Sequence, residues 1–209
     1  MKNKIQKTMA LSALLAAGTI PLANASSIPN PFDDSERAGR GEVYGIVESL
    51  TGWNTTKFYD GDISLKIDSG YGGGVGFGFN FNEYLNLNTT VTGASLDYEY
   101  DDFFNGVARS GDTAVVQWNV SLDYNILKTR LTPLLTAGAG VTYFSDSFDN
   151  SWFDFGQANL CLGVGGGVRW DISDNWFMKA VYRVNWTNLE NSDNTTRFTS
   201  VALGVGYVF

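Results

Sequence analysis

From residue 41 onward the chain alternates, residue by residue, between fatty side chains and small or polar ones. In 113–124, Ala114, Val116, Trp118, Val120, Leu122 and Tyr124 interleave with Thr113, Val115, Gln117, Asn119, Ser121 and Asp123. Successive strand side chains point to opposite faces, so this run predicts a strand with one apolar and one polar side. The pattern recurs in 71–79, 85–93, 132–143, 157–170, 176–187 and 200–209, and a further strand is expected over 41–50, where the facing is less clear. Helical periodicity is evident nowhere.

Each stretch has the roughly 9–11 residues that cross a hydrocarbon layer when tilted. An even number of strands suits closed antiparallel pairing. Connections near 80–84, 125–130 and 171–175 are short, whereas those near 54–67, 97–112, 144–155 and 187–197 are long. In an outer-membrane barrel short turns face the periplasm and long loops face outside, with both termini on the periplasmic side. Alternation alone also fits a soluble sandwich. The aromatics argue for lipid: Phe79, Tyr84, Tyr124, Trp170, Trp176 and Phe209 fall at the short-turn ends, and Trp53, Tyr98, Tyr143 and Trp186 near the long-loop ends. Two such rings suit the headgroup levels of a bilayer. The opposite face is Gly, Ser, Thr, Asn and Gln, which fits the crowded inside of a narrow barrel. The predicted fold is therefore all-β, an eight-stranded antiparallel transmembrane up-and-down β-barrel.

The start of the chain has Lys2, Lys4 and Lys7, an apolar run from Met9 to about Ile20, and the small-x-small site Ala23-Asn24-Ala25. That pattern predicts a cleaved secretory signal over 1–25, a short irregular periplasmic leader over 26–40 and the barrel over 41–209. All 22 acidic residues lie beyond the signal, and no basic stripe offsets them, so a nucleic-acid partner is not expected. No later stretch has the roughly 18 uninterrupted apolar residues of a membrane-spanning helix. Cys161 is the one cysteine, which leaves no intrachain disulfide.

The ending Val201-x-Leu203-x-Val205-x-Tyr207-x-Phe209 resembles the C-terminal assembly signal of Gram-negative outer-membrane proteins, whose last residue is characteristically Phe. Across 41–209 the chain is similar to the small barrels of the OmpA transmembrane-domain, OmpX and OmpW families. The resemblance implies an outer-membrane location and, as partners, outer-membrane lipid, lipopolysaccharide and the assembly machinery that reads Val205, Tyr207 and Phe209. It also implies a structural or envelope role with at most a narrow polar pore. Two alternatives stand beside it: a surface adhesin or ligand-binding protein acting through its long loops on an extracellular ligand or host surface, and OmpW-like transport of small hydrophobic compounds.

Charges on lumen-facing positions are the candidate site. A charge at mid-depth facing lipid is disfavoured, so Glu48, Asp123, Arg169, Lys179 and Arg183 are expected inside. Glu48 and Asp123 are expected to pair with Arg183, Lys179 and Arg169 as a polar plug, because a buried charge without a partner is strongly destabilising. The loops hold Asp97, Glu99, Asp101, Asp102 and Asp112, then Asp146, Asp149 and Asp154. Oxygen ligands suit hard cations, but no fixed calcium-loop spacing is present, and a solvated acidic rim without metal or cofactor is expected. The glycine runs at 72–78 and 163–167 lie inside strands, with no helix to present amides to a phosphate. Histidine is absent from the whole chain, and with it the usual acid–base group near neutrality, so a non-enzymatic role is expected.

Overall fold

The structure, a computed structural model, describes residues 29–103, 105–144, 158–189 and 192–209. The expected signal over 1–25 and the acidic residues Asp146, Asp149 and Asp154 lie outside the described residues. The strands are β1 (Gly41–Thr51), β2 (Thr56–Phe58), β3 (Ile63–Asn80), β4 (Leu85–Asp102), β5 (Val107–Asn125), β6 (Leu131–Phe144), β7 (Ala158–Asp171), β8 (Trp176–Thr187) and β9 (Thr196–Val208). From β3 to β9 each strand pairs antiparallel with the next, and β1 pairs with both β3 and β9. Eight strands thus close on themselves, with β2 lying beside the outer end of β3. A sheet in hydrocarbon has no other way to satisfy its edge groups.

The short turns form because their own polar side chains replace the missing ladder. Asn82 Oδ1 accepts from the backbone N–H groups of Tyr84 and Leu85, both at 2.8 Å. Thr132 Oγ1 accepts from Leu127 N–H at 2.9 Å, and Ser173 Oγ from Trp176 N–H at 3.1 Å. Such Asx- and Ser/Thr-type bonds favour tight reversal. All three turns lie at the same end as Gly41 and Val208, the end expected to face the periplasm.

Side chains take the faces that parity predicts. Tyr71, Val75, Phe77, Trp118, Leu135, Leu160 and Leu203 are exposed on the outside, and Asn86, Asn88, Thr92, Gln117 and Asp123 are buried inside. The lower aromatic ring includes Tyr84 stacked on Tyr124 at 6.3 Å and Trp176 edge-on to Tyr207 at 5.4 Å. Tyr143 and Trp186 stand on the outer ring as expected.

Three expectations are corrected. Residues 97–112 form no long loop: β4 runs on for 18 residues to Asp102, and β5, of 19 residues, begins at Val107. Since about 10 residues cross the hydrocarbon layer, the outer parts of β3, β4 and β5 stand clear of it as a projecting sheet. Trp53 and Tyr98 are not in the outer ring. Trp53 stacks on Phe198 at 4.1 Å and meets Phe144 edge-on at 6.1 Å, and both Trp53 and Tyr98 pack against an apolar cluster inside the barrel.

That cluster joins Leu50, Phe58, Leu65, Ile67, Leu96, Val115, Phe144, Cys161, Leu189 and Phe198. It fills the outer end of the interior, where a lining of Gly, Ser, Thr, Asn and Gln with few large apolar groups was expected. The loop following β1 is fastened over it: Thr56 Oγ1 and Thr196 Oγ1 are 2.6 Å apart, Asn54 N–H donates to Arg197 C=O at 3.0 Å, and Asp193 N–H donates to Lys57 C=O at 2.8 Å. Burying a Phe side chain contributes about 1.5–3 kcal/mol, so this roof stabilises the outer half much as a soluble core would. Phe198→Ala is expected to lower the unfolding free energy by about 3–5 kcal/mol, read by urea titration in lipid. A stability equal to that of the parent would mean that Phe198 is not an interior residue.

Candidate functional site

The lumen is sealed in tiers. At the periplasmic end four charges alternate in a buried line. Arg37 Nη1 lies 2.7 Å from Asp171 Oδ2, Asp171 Oδ1 lies 2.8 Å from Arg169 Nε, and Arg169 Nη1 lies 2.8 Å from Glu42 Oε2. Their side chains are at most 6% exposed. Asn80 donates to Glu42 at 3.1 Å, Ser35 to Asp171 at 2.5 Å, and the Arg169 guanidinium sits 4.2 Å over the Phe177 ring. Charges removed from water need this density of partners, since desolvation otherwise exceeds the attraction.

Arg37 belongs to the segment before the barrel. Besides Asp171 it donates to the backbone carbonyls of Glu83 at 2.8 Å, Leu127 at 3.0 Å and Thr129 at 3.4 Å. One guanidinium thereby joins the β3–β4 turn, the β5–β6 turn and the end of β7. Burial pushes its pKa below the ordinary arginine value, while Asp171 pulls it back up.

One layer inward, Lys179 Nζ is 3.5 Å from Asp123 Oδ2 and donates to Asn88 Oδ1 at 3.1 Å. Asn88 in turn donates to Asp123 at 2.9 Å and accepts from Tyr44 Oη at 2.9 Å. The ammonium lies 3.9 Å from the centre of the Tyr44 ring. Gly76 makes room for that ring, because a Cβ there would be 2.3 Å from Tyr44 Cζ. Above this layer a cavity of ≈ 50 Å³ is lined by Glu48, Gln117, Asn119, Arg183 and Ser200, with Asp123 and Lys179 beneath. That is room for a few waters. Arg183 donates to Thr136 Oγ1 at 3.4 Å, and no carboxylate among the described residues lies within ion-pair distance of it.

The five expected lumen charges are all inside, but their pairing differs from the expected one. Lys179 pairs with Asp123 as expected. Arg169 pairs with neither Glu48 nor Asp123: it lies near the periplasmic end of β7, opposite Glu42 and Asp171. Glu48 and Arg183 share the cavity without an ion pair. Glu42, Asp171, Tyr44 and Arg37 were missed. Parity carried a signal for three of them, since Glu42 and Tyr44 are in step with Glu48 and Asp171 with Arg169.

The acidic residues of the outer end lie on strands, not in a loop. Asp97, Glu99 and Asp101 point outward from β4, and Lys66 of β3 meets Glu99 at 3.0 Å. Asp112 is on β5 and exposed. Asp102 turns inward and accepts from Asn105 N–H at 3.1 Å and Asn105 Nδ2 at 2.8 Å. It borders a cleft of ≈ 480 Å³ with Tyr59, Asp60, Asp62, Ile63 and Tyr100. Among the described residues no group of three His, Cys, Asp or Glu is arranged to hold a metal ion. Val205 and Tyr207 face outward on β9, and Phe209 exchanges backbone bonds with Gly41 at 2.9 and 3.1 Å.

A family model described as outer membrane protein beta-barrel domain matches residues 11–209. No curated protein sequence matches the chain. Among solved structures the chain is similar to the outer membrane protein OprG from Pseudomonas aeruginosa, at 14% identity and a TM-score of 0.60, covering 84% of this chain and 98% of that one. It is also similar to Neisserial surface protein A, at 20% identity and a TM-score of 0.53, covering 81% and 97%. At these identities the likeness is one of fold.

Arg169→Met leaves Glu42 buried without a cationic partner and Asp171 with Arg37 alone, and is expected to cost about 3–5 kcal/mol of unfolding free energy. Arg183→Met breaks one long hydrogen bond and is expected to cost about 1 kcal/mol. Equal losses in a urea titration would show that the periplasmic line of charges is not the centre of the network.

Proposed function

Because the chain belongs to the family of outer membrane protein β-barrel domains and resides in the outer membrane, we propose that it is a non-enzymatic envelope barrel whose lumen is closed at rest. The observation that carries this reading is the double seal. Ionic side chains fill the periplasmic end, and the apolar cluster around Leu50 and Phe198 fills the outer end. What lies between them has room for a few waters, and an ion entering it would exchange its hydration shell for a space already neutralised by Lys179 and Asp123. The absence of histidine supports a role without acid–base chemistry. Lipid and lipopolysaccharide surround the aromatic rings, and recognition by the assembly machinery falls to Val205, Tyr207 and Phe209 on the seam strand.

One observation favours a second reading, attachment of an extracellular ligand or surface. The projecting β3–β5 sheet holds the open cleft between Tyr59 and Tyr100 outside the lipid level. Transport of small hydrophobic compounds has less support, because the apolar tier is occupied by its own side chains: Leu50 and Phe198 are fully buried.

In a planar bilayer the refolded barrel is expected to be silent, and Arg183→Ala is expected to stay silent because neither seal contains Arg183. Regular conductance steps from the parent protein would overturn the closed-lumen reading. For the second reading, replacing 99–109 by a two-residue turn is expected to abolish binding to cells or matrix, with bilayer behaviour unchanged. Undiminished binding would remove it.

A further inference from the structure

The segment 29–40, expected as an irregular leader, lies across the periplasmic mouth and touches every turn there. Leu131 N–H donates to Pro31 C=O, Arg130 N–H to Asp33 C=O and Ser35 N–H to Lys128 C=O, each at 2.9 Å. Gly39 N–H donates to Asn80 C=O at 2.7 Å, and Arg40 Nη1 to Asp174 C=O at 2.6 Å. Between these edge contacts only Ser35 and Arg37 turn inward and are buried, while Phe32 is 74% exposed. The segment is therefore held by polar contacts around one guanidinium, with little apolar surface buried. Segments held in this way sit at the low-stability end of a fold.

Just inside that mouth, at the end of β5, Asn125 is 1% exposed, and neither its Oδ1 nor its Nδ2 has a hydrogen-bond partner. A buried amide left unpaired is costly, and water would relieve it. Uncovering the mouth gives this amide bulk water as a partner. The buried Arg37 side chain is bonded to Leu127 C=O, two residues beyond Asn125.

We propose that residues 29–40 form a releasable plug, with Arg37 as the cork, which controls access from the periplasm to the lower lumen. The inference rests on the closed-lumen reading. When the plug lifts, Arg37 leaves Asp171 and the three carbonyls, Asp171 keeps Arg169 as its partner, and Asn125 becomes hydrated. The barrel ladder itself is untouched, because every pairing between barrel strands lies at residue 41 or beyond, and the one bridge of the segment, Asp34 to Thr129, falls outside those strands. The apolar roof stays shut, so lifting the plug opens a pocket toward the periplasm and not a through-channel.

The test is thiol labelling of Asn125→Cys in phospholipid nanodiscs, where both faces meet the reagent, a small sulfonated methanethiosulfonate. Mass spectrometry reads the site. Cys161, buried among the roof residues, serves as the internal control. In the full chain Asn125→Cys is expected to react no faster than Cys161. Adding Arg37→Ala, or starting the chain at Gly39, is expected to accelerate labelling at position 125 at least tenfold while Cys161 stays protected. No acceleration in either variant would overturn the plug. Equal acceleration at both cysteines would also overturn it, by showing that the segment braces the whole barrel. Conductance steps from the parent protein, with Asn125→Cys still protected, would overturn the closed-lumen reading alone.

Discussion

Hydrocarbon offers no hydrogen bonds, and the rest of the molecule follows from that. A strand left at an edge would carry a row of unpaired amides into lipid, so β1 has to find β9 as well as β3. Closure with eight strands leaves an interior only as wide as side chains. Everything pointing inward must therefore pack against something else pointing inward. Gly76 of β3, Gly204 and Gly206 of β9 and the side chain of Tyr44 are two sides of the same narrow space.

Within that space the two ends use different physics. At the periplasmic end the order Arg37, Asp171, Arg169, Glu42 places each charge against its opposite, so that no ion is left desolvated and alone. At the outer end the same inward positions carry Leu, Val and Phe, and the hydrophobic effect holds down the loop after β1. A directional, partner-demanding network thus faces the side where the segment 29–40 arrives, and a non-directional core faces the side where the loops are long. Polar atoms such as Glu48 Oε1 and Arg183 Nε, buried without protein partners, lie between the two, which is where a few waters fit.

How much of this was legible depended on contrast between environments. Where one face meets lipid and the other meets the lumen, the period-two pattern is strong, and the facing of Asp123, Lys179 and Arg183 could be read directly. Above the lipid the outward face becomes wet and the contrast weakens, so the acidic stretch from Asp97 to Asp112 reads as a loop. Its alternation of Tyr98 and Tyr100 with Glu99 and Asp101 was nonetheless a strand signal, and the same parity places Tyr98 inside with Leu96, against its apparent membership of an aromatic ring. Trp53 sits beyond β1, where parity has no hold. Arg37 was illegible for a different reason. Its partner Asp171 is 134 residues away, and nothing local to either residue encodes the meeting.

The seam between β1 and β9 has a consequence for how such a chain comes to exist. Glu42 lies opposite Val208, and Gly41 exchanges backbone bonds with Phe209, so the pairing that removes the last edge joins the two most distant parts of the sheet. Contacts of that separation are slow to form. Until they form, no partial barrel is a stable occupant of lipid, because any sheet short of closure still shows two unpaired edges. Insertion is in effect all or none. The step that ends exposure of edges is the meeting of the two seam strands, and the backbone bonds between Gly41 and Phe209 belong to that step.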